Sequence, residues 1–436
     1  MLIMGLHDEY KKAVDFVHQV DFSNSKDVSK GFETNIRYLG GLLAANELSP
    51  DPILLEKAVE VADNTLVPLF VDSVSSGEPV KVPLTYMNLK TKKPVKEQTI
   101  NLAELGTYTL EFRKLSEVTG DPTYQKLADD LTNAVLNQPT RIPGLYPTSW
   151  TVQPFAPVNS SIITVAGGAD SFYEYLIKDY LLQTDRNEKV LEAWETSVDS
   201  MREYMLSPTT EDPDTQFVAM ISNNTVFYNS QELICFWPGN ILLGLTQIEE
   251  DNKRKKFKNF ADTFLKSCIE TWSGTATGIA PESWSWNPKD NCLETKLNNL
   301  FQKKLQNQQK TMKRDTADHP SFDIDNAIYD LRPETIESVF YYYRMTDDER
   351  YKNIAWKMFK AIDKYAKTES GYTIVDNVDV VPVKQQDFQE SFWFAETLKY
   401  LYLIFVDKDC LSLNDWVFNT EAHPFRLPTK IHFQTS

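Results

Sequence analysis

The stretch Phe388-Gln389-Glu390-Ser391-Phe392-Trp393-Phe394-Ala395-Glu396-Thr397-Leu398-Lys399-Tyr400-Leu401-Tyr402-Leu403-Ile404-Phe405 reads as a helix that is apolar nearly all round. Phe392, Ala395, Leu398, Tyr402 and Phe405 recur at steps of three and four, the spacing of one helix face. The apolar residues also cover the other faces, as expected of a helix enclosed by other helices. Glu390 and Glu396 fall in its first turns. Ionised carboxylates are rarely buried without a partner, so polar groups should meet them at that end. The plainer alternative is that each acid complements the positive end of its helix.

The same arrangement recurs upstream. Apolar periodicity predicts helices over 7–20, 31–48, 53–73, 103–118, 122–137, 170–183, 188–205, 231–248, 255–272, 333–345, 349–367 and 390–406. Strand-like alternation is confined to short pieces such as Phe217 to Ile221 and Tyr372 to Val381. Glu33, Glu104, Asp170 and Glu334 each open a helix that breaks after three or four turns at a Ser- or Thr-containing turn and is followed at once by another. Tandem helical hairpins stack into a solenoid or close into an (α/α) barrel. The fold class expected from the pattern is therefore all-α, with the solenoid and the closed barrel both open. The polar, poorly periodic segment 290–325 is read as an inserted mobile loop. If the barrel closes, Glu33, Glu104, Asp170, Glu334 and Glu396 share one rim. Five carboxylates from distant segments repel unless a cation, an arginine or sugar hydroxyls lie among them. Arg37, one turn after Glu33, and Arg332, two residues before Glu334, are the candidate arginines.

Composition narrows the function classes. The net charge of −17 and pI near 4.9 argue against nucleic acid, which needs a basic face. Aromatic residues make up 12% of the chain, enough to line carbohydrate or apolar pockets as well as a core. No apolar run is long enough for a membrane span, and Met1 to Leu6 is too short for a signal segment. Cys235, Cys268, Cys292 and Cys410 show no CxxC spacing, which argues against zinc. A disulfide among them requires an oxidising compartment. The sequons at Asn159 and Asn223 fit such a compartment and are also a chance expectation.

Opposed carboxylates, without a Ser/His or Cys/His nucleophile pattern, suit glycoside hydrolysis, in which one acid protonates the leaving oxygen and another activates water or attacks. HExxH, Walker and GxSxG patterns are absent from the sequence.

Five longer motifs carry a resemblance: Gly31-Phe32-Glu33-Thr34-Asn35-Ile36-Arg37-Tyr38-Leu39-Gly40-Gly41, Gly168-Ala169-Asp170-Ser171-Phe172, Leu331-Arg332-Pro333-Glu334-Thr335-Ile336-Glu337-Ser338, Glu396-Thr397-Leu398-Lys399-Tyr400 and Phe418-Asn419-Thr420-Glu421-Ala422-His423-Pro424. They resemble glycoside hydrolase family 47, the class I α-1,2-mannosidases of the endoplasmic reticulum and Golgi and their degradation-linked relatives. The resemblance runs over essentially the whole chain. It implies a single (α/α)7 barrel domain over 1–436 with short β-hairpins at one end, a Ca2+ cofactor and inversion at the anomeric carbon. By motif position Glu33 is similar to the general acid, while Asp170 and Glu334 match two acids of which either is the base. Glu282 matches a further site carboxylate, and Thr420 the calcium-binding threonine. Glu104, Glu337, Glu396 and Glu421 match acids holding calcium-bound waters or sugar hydroxyls. Arg37, Arg332 and Phe392 match other pocket positions. Cys235 and Cys268 match the family's disulfide pair.

The implied function is trimming of mannose from high-mannose N-glycans in glycoprotein processing or endoplasmic-reticulum-associated degradation, in a secretory compartment. The partners implied are those glycans, and an oxidoreductase of the endoplasmic reticulum. Departures are visible, among them Gly168 where some members place an arginine and the unusually long, basic segment 290–325. The family's first helices are not matched, so the barrel is expected to be open there, and Glu232 stands where many members carry a histidine. The alternative reading is a catalytically weak mannose-binding or quality-control module.

Overall fold

The computed structural model describes residues 1–301 and 321–431. Its helices are stacked in antiparallel pairs, an inner helix followed by an outer one: 31–48 with 52–66, Thr109–Thr119 with Thr123–Leu136, Asp170–Leu182 with Glu188–Tyr204, Trp237–Gly244 with Asp251–Ser273, and Glu334–Thr346 with Glu349–Tyr365. The helical stretch 393–405 adds an inner helix beside Glu334–Thr346. Together they form an (α/α) barrel.

The two layers follow from sequence pattern. Every residue of Trp237–Gly244 is buried, and so is every residue of Asp170–Leu182 after Asp170. Glu349–Tyr365 buries only Ala355, Met358 and Ile362, a single stripe that rests on the inner ring. Local signals set the ends. Asp51 caps its helix by accepting from the Ile53 amide at 3.1 Å, with Pro52 in the first turn, and Gly120 closes Thr109–Thr119 in the left-handed region.

The strands are short antiparallel pieces that feed the inner helices. Ser29–Lys30 runs into the helix of Glu33, and Thr99–Asn101 into that of Glu104. The three-stranded sheet of Asn229–Gln231, Ser283–Ser285 and Asp323–Asn326 carries Glu232 and Glu282 at its edges. The hairpin Trp416–Phe418/Pro424–Arg426 enters the ring, where Phe418 packs against Phe340 and Tyr400 at ring-centroid distances of 5.7 and 5.9 Å.

Several expectations need correction. The periodic run 53–73 is helical only as far as Leu69, because Pro68 removes an amide donor; Phe70–Ser75 then pairs with Glu78–Pro83 across Ser76 and Gly77. Tyr372–Val381 makes isolated bridges instead of a strand. The last inner helix starts at Trp393, so Glu390 precedes it and is half-buried. Within 290–325, read as a loop, Cys292–Leu300 is a helix anchored by Leu293 and Leu297, and Asp323–Asn326 is a strand; 302–320 lie outside the described residues.

Candidate active site

Inner helices of successive hairpins run parallel, so their N-termini gather at one end of the barrel. A cavity of about 340 Å³ opens there. Glu33, Arg37, Glu104, Asp170, Arg332, Glu334, Glu337, Phe392, Glu396, Thr420 and Glu421 all line it. The five helix-opening acids read from the sequence thus meet in one place. Glu282 lies outside the lining and reaches the cavity through Arg332.

Each acid is placed by a local device. Asn101 accepts from the Glu104 amide at 2.8 Å, fixing the first turn from which Glu104 projects. Asp170 accepts from the Ser171 amide at 2.7 Å. Residues 34–39 and 393–397 widen into π-helical turns, and these turns carry Arg37 and Glu396. Thr420 and Glu421 come from the tip of the central hairpin. There Asn419 donates to Glu111 at 2.7 Å and to the Ile36 carbonyl at 3.0 Å, while its oxygen accepts from the amides of Glu421 and His423.

The arginines divide the acids between them. Arg37 Nε donates to Glu33 at 2.7 Å, and its Nη2 lies 3.3 Å from Glu421. Arg332 grips Glu282 through both Nε and Nη2, a bidentate pair. Both guanidinium groups lie over the ring of Phe392, at 5.7 and 5.4 Å from its centroid. Lys30 bridges Glu104 at 2.8 Å and Glu33 at 3.8 Å.

The remaining carboxyls have less compensation. Burial pushes Asp170 and Glu334 up to about 7, with Arg332 pulling each back. One oxygen of Glu334 is buried without a partner. Burial lifts Glu337 to about 8 against the opposing charge of Lys178, and Glu421 to about 7 against Arg37. Glu396 rises well above the carboxylate range through burial and the neighbouring acids Glu421, Glu334 and Glu337. A buried set of this kind can hold protons in reserve, order water, or take up a cation.

Some site residues escaped the sequence reading. Glu174 lines the cavity and pairs with the buried Lys178, which also lies 3.7 Å from Glu337. A partial signal was present: Asp170, Glu174 and Lys178 recur every four residues along one face of a helix that also carries Ser171 and Asp179. Lys30 and Asn101 carried no comparable pattern. Cys235 and Cys268 form a disulfide that ties the start of one inner helix to its outer partner, and Cys292 and Cys410 are free.

Comparison with known proteins is consistent with this arrangement. A mannosyl-oligosaccharide α-1,2-mannosidase of Coccidioides posadasii is 33% identical over 98% of this chain and 81% of its own length. The endoplasmic reticulum mannosyl-oligosaccharide 1,2-α-mannosidase of Schizosaccharomyces pombe is 33% identical over 98% and 79%. The structure of an α-1,2-mannosidase from Trichoderma reesei superposes with a TM-score of 0.84 at 30% identity, over 97% of this chain and 88% of that one. A cellobiose 2-epimerase of Spirochaeta thermophila, 12% identical with a TM-score of 0.55, shares the barrel fold. The family model for glycosyl hydrolase family 47 matches residues 1–427, nearly the full length, and the chain belongs to that family.

Proposed function

We propose that the protein is an α-1,2-mannosidase that hydrolyses terminal mannose from mannosyl-oligosaccharides, with high-mannose N-glycans of glycoproteins as substrates. The observation that carries this reading is the convergence of Glu33, Asp170 and Glu334 on one cavity beside the Arg37–Phe392–Arg332 stack, in a chain of this family. Glu33 protonates the leaving oxygen. Asp170 or Glu334 takes the proton of the attacking water, and burial poises both near neutrality, where a base works best. Water attack on the face opposite the acid inverts the anomeric centre. Phe392, with both guanidinium groups over its ring, adds apolar surface to the cavity for a sugar to pack against.

The residues present fit a hard divalent cation. Thr420 brings a hydroxyl and a carbonyl oxygen, and Glu174, Glu337, Glu396 and Glu421 surround the same cavity. Among the described residues no three Asp, Glu, His or Cys side chains form a direct cage, so the carboxylates would act through water. A bound Ca2+ would polarise sugar hydroxyls and water. The Cys235–Cys268 disulfide supports a secretory compartment, and among the described residues no helix is long and apolar enough to cross a membrane.

Mannose release from a defined oligomannose glycan, with and without a calcium chelator, tests the proposal. Release that the chelator stops, and that Glu334→Gln lowers by about a hundredfold or more, is expected. Release by Glu334→Gln at the wild-type rate would overturn the mechanism, and tight glycan binding without release would favour the binding-module reading.

A further inference from the structure

Behind Glu334 lies a second carboxyl group that none of the site roles above uses. Glu232 is 1% exposed and opens the inner helical stretch 232–247 at the edge of the sheet that also carries Glu282; its amide donates to the Glu282 carbonyl at 3.0 Å. One oxygen of its side chain, Oε1, accepts from both the amide and the hydroxyl of Thr335, at 3.2 and 2.6 Å. The other, Oε2, is buried with no partner. Thr335 follows Glu334 directly, so the two carboxyl groups flank the same first helical turn, each with one buried oxygen unpaired. The hydroxyl of Tyr329, within electrostatic reach of both, is also buried and unpaired.

Charge around this corner does not balance. The charges of Glu334 and Glu282 act on Glu232, those of Glu282 and Asp170 act on Glu334, and Asp330 adjoins Tyr329. The guanidinium of the corner, Arg332, is committed to Glu282. Enclosed carboxylates sharing one countercharge cannot all ionise, and the proton settles on the group furthest from the cation.

We propose that Glu232 is a positioning residue, held as a neutral carboxylic acid, whose hydroxyl fixes the orientation of the Glu334 carboxylate and keeps that group able to ionise. The inference rests on the reading of Glu334 as a proton-handling group. Burial and the charge of Glu334 both favour the protonated form of Glu232. A histidine at this position could supply a donor with a positive charge; Glu232 supplies one without it. Glutamine would keep the shape and a donor, whereas leucine would keep the volume and lose the donor.

Two measurements test this. Infrared difference spectra of wild type minus Glu232→Gln, recorded at neutral pH, should show the loss of a protonated-carboxyl carbonyl band; loss of a carboxylate band instead would overturn the proposal. That spectrum needs folded protein and no turnover, so it stands apart from any failure of the mannosidase reading. In kinetics, Glu232→Gln should keep kcat within about threefold and leave the acidic limb of kcat/KM in place, whereas Glu232→Leu should lower kcat by about tenfold to a hundredfold and move that limb to higher pH. A limb moved to lower pH in Glu232→Gln, or left in place in Glu232→Leu, would show that Glu232 is ionised or merely fills space.

Discussion

Arg332 holds Glu282 by two hydrogen bonds, Nη2 to Oε1 at 2.8 Å and Nε to Oε2 at 3.0 Å, and its Cζ lies over the Phe392 ring at 5.4 Å from the centroid. The guanidinium is therefore fixed by its edge while it lies over a ring that lines the cavity. Lysine would keep the charge but neither the fork nor the stacking plane. Arg332→Lys should lower kcat/KM for oligomannose by about a hundredfold, a loss of transition-state stabilisation near 3 kcal/mol. Glu282→Gln, which weakens the grip and leaves the arginine in place, should fall between this variant and wild type in the same assay.

The two acids proposed as the base set a pH dependence. Asp170 and Glu334 are both raised to about 7 by burial, and the charge of Asp170 adds to the rise of Glu334. The base must be ionised, and lowering the pH protonates it. The kcat/KM of the enzyme should therefore fall tenfold per unit on the acidic side, with the limb beginning near 7. Replacing Asp170 by its amide removes a charge that repels Glu334 and should shift the residual limb to lower pH, measurable on an activated aryl mannoside that needs little acid assistance.

How the chain reveals this site depends on where each signal is carried. Glu33, Glu104, Asp170, Glu334 and Glu396 were legible because an acid in an apolar helix start is costly to bury alone. Thr420 has no such mark; only the motif around Asn419 and His423 points to it. Glu174 and Lys178 share the four-residue spacing of Asp170, but an acid and a base at that spacing read as an ordinary helix ion pair. The hairpin from Phe70 to Pro83 was missed for a different reason. Its apolar residues extend the helical spacing of 53–66, and the break rests on Pro68 and the Ser76-Gly77 turn. Cys292–Leu300 buries only two residues, too few to give a period.

Stability should respond to pH and calcium together. Glu334, Glu337 and Glu421 have folded-state values of about 7, 8 and 7, above those of an unfolded chain. Between roughly pH 4.5 and 7 the folded state then binds more protons than the unfolded one, so stability falls as pH rises through that window. In chelator, the midpoint of thermal unfolding should be higher at mildly acidic than at mildly alkaline pH. A cation among the ionised acids reverses the penalty. Added Ca2+ at about a hundred times its dissociation constant should contribute about 2.7 kcal/mol at the alkaline end, and less at the acidic end, where protons compete.

The disulfide is a separate source of stability. Cys235 and Cys268 are 33 residues apart in sequence, and loop closure of that length contributes about 3–4 kcal/mol through the unfolded chain. The double replacement by Ala and Ser should lower stability by about that amount in denaturant titrations. Activity at permissive temperature should persist, because neither cysteine lines the cavity.

Asn419 offers the sharpest separation of support from chemistry. Its amide nitrogen donates to Glu111 and to the Ile36 carbonyl, and its oxygen holds the amides of Glu421 and His423, so the residue is fully bonded and fully buried. Asn35 and Tyr175 add donors to Glu111, which burial still lifts to about 7. The hairpin tip that carries Thr420 and Glu421 is thereby fastened to the inner helices from beneath. Asn419→Ala removes one of the donors to a buried carboxyl and frees two amides, a cost of about 3 kcal/mol. The tip would also lose its register with the cavity. Calcium affinity and kcat should therefore fall together, while Arg37 and Phe392 keep their own supports and leave glycan binding weakened by less. Isothermal titration of Ca2+ and of an oligomannose into the variant separates these effects. Unchanged Ca2+ affinity with loss of stability alone would show that Asn419 supports the core without placing Thr420.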